Sequence, residues 1–224
     1  MPEPRLVATH VPRRAEAIAL VLHGGASREH GAAVSPTQLS VLRMLPVAGR
    51  LARAGRGRLA VFRLLNSTRG WDTAHTPVDD ARWALDQVEE RLGRRLPTAL
   101  VGHSLGGRAA ILAGDADGVE SVVALNPWVY PSDTVDLTGR RVLVAHGTDD
   151  RIADPGRART VAAALTRTAR SVGVVDVEGA RHAMLRRGGV FERLAADFVR
   201  ATLLGDDVSA PVPALLEGDQ RVSV

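Results

Sequence analysis

Thr98-Ala99-Leu100-Val101-Gly102-His103-Ser104-Leu105-Gly106-Gly107 joins a short apolar run, β-branched at its end, to Arg108-Ala109-Ala110-Ile111-Leu112-Ala113, a run rich in helix formers. The pattern G-x-S-x-G therefore sits where a strand turns sharply into a helix, the setting of a nucleophile elbow. So tight a turn holds the serine in a strained backbone conformation. Side chains two residues to either side would collide with the strand or the helix, which is why glycine stands at both places. The five-residue pattern recurs by chance in Gly-rich chains, so its weight depends on the rest of the sequence.

The rest is compatible with an enzyme of one domain. A chain of 224 residues with 45% hydrophobic content can bury a sizeable core. No apolar run reaches the length of a membrane span. Met1-Pro2-Glu3-Pro4-Arg5 does not open a secretory signal, which sets the expectation of a cytoplasmic protein with no membrane partner. Cysteine is absent, which excludes disulfides, thiolate catalysis and zinc–thiolate sites. The net charge of +4 does not point to nucleic acid: all 29 basic residues are Arg, as coding bias in a GC-rich genome would give, and acids are interspersed among them. The densest group, Arg50, Arg53, Arg56 and Arg58, reads as a solvated helix end and loop. No nucleic-acid partner is expected.

Apolar strand candidates alternate with amphipathic helix candidates, the pattern of a parallel sheet covered on both faces. Ala17 to Leu22, Leu59 to Leu65, Thr98 to Val101, Val119 to Leu125, Arg141 to Ala145 and Ser171 to Val177 read as strands. Leu39, Leu42, Leu45, Ala48 and Leu51 follow a helical stripe, interrupted or kinked at Pro46. Val78, Ala81, Leu85, Val88 and Leu92 mark another helix. Pro155 to Thr168 and Val190 to Leu203 mark two more. The expected class is α/β, with a mostly parallel sheet of about six or seven strands and helices on both faces. A single domain is read over residues 1–204. Residues 205–224, mixing Gly, Pro, Asp and Ser, read as a peripheral or disordered tail on which Ala214-Leu215-Leu216 could dock.

Serine is a weak nucleophile at neutral pH and needs a base, which in turn needs an orienting carboxylate. His146-Gly147-Thr148-Asp149-Asp150-Arg151 and Gly179-Ala180-Arg181-His182 each follow a predicted strand, at the sheet edge where open α/β folds build their sites. With Leu22-His23-Gly24-Gly25 and the elbow, these segments resemble, in type and in order, those of the α/β-hydrolases, from about Leu20 to His182. The resemblance implies Ser104 as nucleophile, His182 as general base and Asp150 as the triad acid. Asp149 is the alternative acid and Asp154 a more distant one. It implies an oxyanion hole from the backbone N–H groups of Leu105 and Gly25, with Ala26 as the alternative to Gly25. His23 is implied to support the oxyanion loop; His103 and His146 read as structural; His10, His30 and His75 read as surface residues. No residue cluster has metal-ligand spacing and no phosphate loop is present, so neither metal nor cofactor is expected.

Two departures from the larger members of that family bear on substrate. The interval Asn126 to Gly139 is too short for a helical lid, so no cap domain and an open site are expected. There is also little room before Ala17 for additional antiparallel strands. Trp128 and Tyr130 are candidate substrate-wall residues, as are Arg69 and Trp71 after an earlier strand. The expected activity is cleavage of a small-molecule carboxylic ester or thioester through an acyl-serine, by a monomer or small homo-oligomer. Two rivals share the residues. One is a non-hydrolytic acyl transferase, cyclase or epimerase that reuses the triad; the other is a catalytically silent binding module.

Overall fold

The computed structural model describes residues 2–25, 32–218 and 221–224. The strands are β1 (Arg5–His10), β2 (Ala17–Leu22), β3 (Leu59–Leu65), β4 (Thr98–His103), β5 (Val119–Leu125), β6 (Arg141–Gly147), β7 (Ser171–Val177) and β8 (Arg221–Ser223). The helices are α1 (Leu39–Leu42), α2 (Met44–Ala54), α3 (Thr76–Leu92), α4 (Leu105–Leu112), α5 (Pro155–Leu165), α6 (Gly188–Leu203) and α7 (Val212–Leu216). The strands form one eight-stranded sheet in the order β1-β3-β2-β4-β5-β6-β7-β8. Only β1 runs antiparallel, against β3; the other pairings are parallel. The class is the expected one, with an added strand at each edge.

The layers follow from side-chain alternation. Ile18, Leu20 and Leu22 of β2 join the core under α3, α4 and α5. Ala17, Ala19 and Val21 join the core under α2, α6 and α7. A strand covered on both faces is apolar at every position, and all six residues of β2 are buried. Fully burying one such Leu or Val contributes about 1.5–3 kcal/mol, so the central strands anchor whatever their carboxyl ends carry. Among the described residues no helix is long and apolar enough to cross a membrane.

Two expectations are corrected and a third is narrowed. The space before Ala17 does hold an antiparallel strand, β1. As an edge strand it buries only Leu6, so it lacks the apolar pattern that marks its neighbours. For the tail after Gly205, read as peripheral or disordered, the described residues take the peripheral form: α7 buries Val212 and Leu215, and β8 pairs with β7. The helical stripe from Leu39 breaks at Arg43 rather than at Pro46 itself. In a continuous helix Pro46 would leave the Leu42 carbonyl without a donor and press its ring against it. The buried positions become Val41, Met44, Val47, Ala48 and Leu51, while Leu39, Leu42 and Leu45 face outward.

The sheet reverses its order of growth between β2 and β4. From β2 the chain moves to β3 on one side; from β4 it moves to β5 on the other. The crevice at the carboxyl ends of such a pair is where open α/β sheets bind ligands. Gly24 and Gly25 leave β2 there, and Ser104 leaves β4 there.

Candidate active site

Ser104 lies between β4 and α4 with φ 57° and ψ −121°, a left-handed conformation that is strained for serine. The neighbouring glycines make the turn possible. A Cβ on Gly102 would overlap the Gly106 carbonyl, and one on Gly106 would overlap the carbonyls of Leu22 and His23. The turn is also tied from outside: Ser104 N–H donates to the Leu125 carbonyl at 3.0 Å, and the Ser104 carbonyl accepts from Trp128 N–H at 3.1 Å.

His182, on the loop between β7 and α6, brings Nε2 to 2.9 Å from Ser104 Oγ. Its Nδ1 lies 2.8 Å from Asp150 Oδ2. Burial raises the cost of a charge on Asp150. Hydrogen bonds from His146, His182 and the Ala153 and Ile152 N–H groups outweigh that cost and hold the carboxyl below the usual carboxylate range. An ionised carboxylate only accepts, so His182 Nδ1 carries the proton and Nε2 presents its lone pair to the Ser104 hydroxyl. The two loops are joined directly: Asp149 N–H donates to the Ala180 carbonyl at 3.0 Å and Thr148 N–H to that of Val177 at 3.1 Å. Asp149, the alternative acid, is exposed. Asp154 caps α5, accepting from Gly156 N–H at 2.7 Å.

The carboxyl end of β2 completes the crevice. Asn66 N–H donates to His23 Nε2 at 3.1 Å, so Nδ1 is the protonated nitrogen and donates to the Gly24 carbonyl. Burial lowers the His23 pKa, which keeps this ring neutral. The N–H groups of Gly25 and Leu105 donate to no acceptor among the described residues. A Cβ on Gly25 would strike the Arg69 carbonyl, so only glycine fits where that backbone passes. An open groove of about 460 Å³ starts here, lined by Gly25, Ser35, Thr37, Gln38, Ser40 and Arg69. Ala26, the alternative oxyanion donor, and His30 lie outside the described residues.

Solved structures adopt the same arrangement of sheet and helices. A lid-less α/β serine hydrolase from Xanthomonas campestris superposes with a TM-score of 0.65 at 21% identity, over 91% of this chain and 90% of that one. Est1E from Butyrivibrio proteoclasticus gives 0.63 at 14% identity, over 90% and 94%. A monoacylglycerol lipase from Paleococcus ferrophilus gives 0.61 at 18% identity, over 89% and 99%. The chain has the α/β-hydrolase fold. The sequence itself matches no family model and none of the curated proteins compared with it.

Within this α/β-hydrolase fold, no helix or strand intervenes between β5 and β6, the interval where a lid was expected to be missing. What fills it is a short loop built around a buried ion pair. Arg108 of α4 grips Asp133 with two contacts, Nη2 to Oδ1 at 2.8 Å and Nε to Oδ2 at 2.7 Å. The guanidinium lies 4.0 Å from the Trp71 ring centre and 5.0 Å from that of Tyr130, both cation–π range. Trp128 packs edge-on against Tyr130. The structure thus sets Trp71 and Tyr130 against Arg108, with Trp128 against Tyr130, and none of the three lines the groove beside Gly25.

Three supporting side chains had not been assigned to the site. Asn126, fully buried at the end of β5, donates from Nδ2 to the carbonyls of Arg181 and His182 at 3.2 and 3.1 Å and accepts from Gly147 N–H at 2.8 Å. His103 Nε2 donates to the same His182 carbonyl at 2.8 Å, and burial, aided by the neighbouring His182, lowers its pKa to about 3. His146 Nε2 lies 3.2 Å from both the Ala153 carbonyl and Asp150 Oδ2, so it adds a donor to the acid. The only sequence signals were an asparagine after a strand and two histidines inside the motifs, all of which read equally well as turn residues.

Proposed function

We propose that the chain is a serine hydrolase that cleaves carboxylic esters or thioesters through an acyl-serine. As Ser104 Oγ attacks the substrate carbonyl, its proton passes to His182 Nε2. Asp150 holds Nδ1–H and stabilises the imidazolium that forms. The Leu105 and Gly25 N–H groups receive the oxyanion, with the amino end of α4 adding its dipole. The proton on Nε2 goes to the departing oxygen or sulfur as the carbon–leaving-group bond breaks. Water then enters: His182 takes its proton, the hydroxyl attacks the acyl carbon, and Ser104 leaves with the proton restored.

The observation that supports this reading is the hydrogen-bonded line Ser104–His182–Asp150 at 2.9 and 2.8 Å, with the acid ionised and the serine at a strained turn. Esters and thioesters are favoured over amides because no group stands out as a helper for an amine leaving group. The test is hydrolysis of p-nitrophenyl butyrate and of a short acyl thioester. Wild-type protein turns over at least one of them, and Ser104→Ala abolishes that turnover. Full activity in the alanine variant would overturn the reading.

A further inference from the structure

Two grooves meet at Leu39, one starting at Gly25 and one reaching the loop that carries His182. The groove starting at Gly25 carries hydroxyl, amide and guanidinium groups beside Ala33 and Leu39. On the other side of Leu39 is a second groove of about 390 Å³, lined by Leu42, Arg43, Pro46, Val47, Met184 and Leu185. Met184 and Leu185 follow His182 by two and three residues, so the loop that carries the base also lines this groove. Leu39 and Leu185 stand out at its rim, 78% and 79% exposed, an unusual position for two leucines in a chain without a lid.

One cation interrupts the apolar lining. Arg43 stands at the break between α1 and α2 and is partly buried. Its guanidinium has no hydrogen-bond or ion-pair partner among the described residues, and desolvation alone shifts it. It is near enough to His103, whose ring packs 5.0 Å from that of His182, to act on it electrostatically. Glu192 is the acid that lines the same groove, but it does not pair with Arg43. Among the other arginines, Arg108 has Asp133, and Arg58 and Arg200 have Asp206, whereas Arg63, partly buried like Arg43, reaches the Thr9 hydroxyl. A partly desolvated guanidinium with no partner among the described residues, on the wall of a groove shared with the His182 loop, is a receptor for a planar oxyanion.

We infer that the substrate carries a carboxylate or phosphate at the end of an apolar stem, with the stem lying along Leu39, Leu42, Met184 and Leu185 and the oxyanion pairing with Arg43. This assignment rests on the serine-hydrolase reading. It narrows the substrate class from any small ester to amphiphilic acidic ones. A charge-assisted pair in so open a groove contributes about tenfold in kcat/KM.

The experiment compares matched esters that differ only in the terminal charge. p-Nitrophenyl hexanoate and mono-p-nitrophenyl adipate place the charge on the acyl side. Hexyl acetate, acetoxyhexanoate and acetoxyhexyl phosphate place it on the leaving group and separate carboxylate from phosphate. The expected result is a preference of about tenfold for the anionic member in at least one arm. Arg43→Met, which keeps the apolar stem of the side chain, removes the preference; Arg43→Glu turns it toward the matching ammonium ester. Equal kcat/KM for neutral and anionic esters in both arms, or a preference that survives Arg43→Met, would overturn the assignment while leaving the hydrolase reading intact. Failure to cleave any of these esters by a protein that turns over p-nitrophenyl butyrate or the acyl thioester would overturn the assignment alone; failure on all of them, butyrate and thioester included, would overturn both.

Discussion

Asp150 and Asp133 are both buried carboxylates held near Ser104, yet their partners give them opposite characters. Asp133 faces Arg108, a base that never gives up its proton, in a two-point ion pair beneath Trp71 and Tyr130. Asp150 faces His182 and His146, whose ring nitrogens can give and take a proton. A pair that cannot exchange a proton fixes position; a pair that can is suited to moving one. The two clusters meet at Ser104. Asp150 reaches its Oγ through His182, and Asp133 reaches its carbonyl through the loop that carries Trp128 N–H.

If that division holds, substitutions should separate cleanly into lost chemistry and lost stability. His182→Ala should lower kcat by about 10⁴-fold or more with little change in urea midpoint. Asp150→Asn should also lose most activity, because the amide can no longer hold the tautomer that presents Nε2 to the serine. Arg108→Met should do the reverse. Leaving Asp133 buried without its partner costs about 3–5 kcal/mol of stability, read from urea denaturation, and the double variant Arg108→Met, Asp133→Leu should recover part of it. Equal loss of kcat and of stability in both clusters would erase the contrast.

A smaller effect probes how His182 is held. Asn126→Asp keeps the acceptor for Gly147 N–H but loses the donors to the Arg181 and His182 carbonyls. It should lower kcat by roughly ten- to hundredfold, the scale of a small misplacement of a catalytic group, with KM nearly unchanged. The smallest effect is a pH dependence. The His103 pKa is lowered from 6.5 to about 3 in the folded state, so the unfolded chain binds the extra proton first as pH falls. Its contribution to stability is therefore complete above about pH 6.5 and is lost progressively toward about pH 3. His103→Gln should flatten the acid side of the stability–pH curve in that window, leaving the part due to His23, which is shifted in the same direction.

These contrasts also explain what was readable in the linear sequence. The central strands announced themselves because burial on both faces forces apolar residues at every position, as in Ala17–Leu22. The elbow, the acid loop and the histidine loop stand out because their backbone turns restrict residue type. Edge strands carry no such constraint: β1 exposes most of its side chains, and Arg221–Ser223 is too short to form a pattern. The partnership of Arg108 with Asp133 spans 25 positions in a chain whose every basic residue is Arg, and nothing local distinguishes that arginine from a solvated one. The outward turn of Leu39 and Leu42 was hidden for another reason. A helical stripe read through Pro46 assigns them to the core, and only the break at Arg43 turns them out.

The central claim is that Ser104 is the nucleophile activated by His182. Its most direct measurement is reaction of the purified protein with a fluorophosphonate, followed by intact-mass and peptide mass spectrometry. The account predicts one adduct per chain, on Ser104, forming at least about a thousandfold more slowly in His182→Ala. No adduct, an adduct on another residue, or labelling at the wild-type rate in His182→Ala would contradict it.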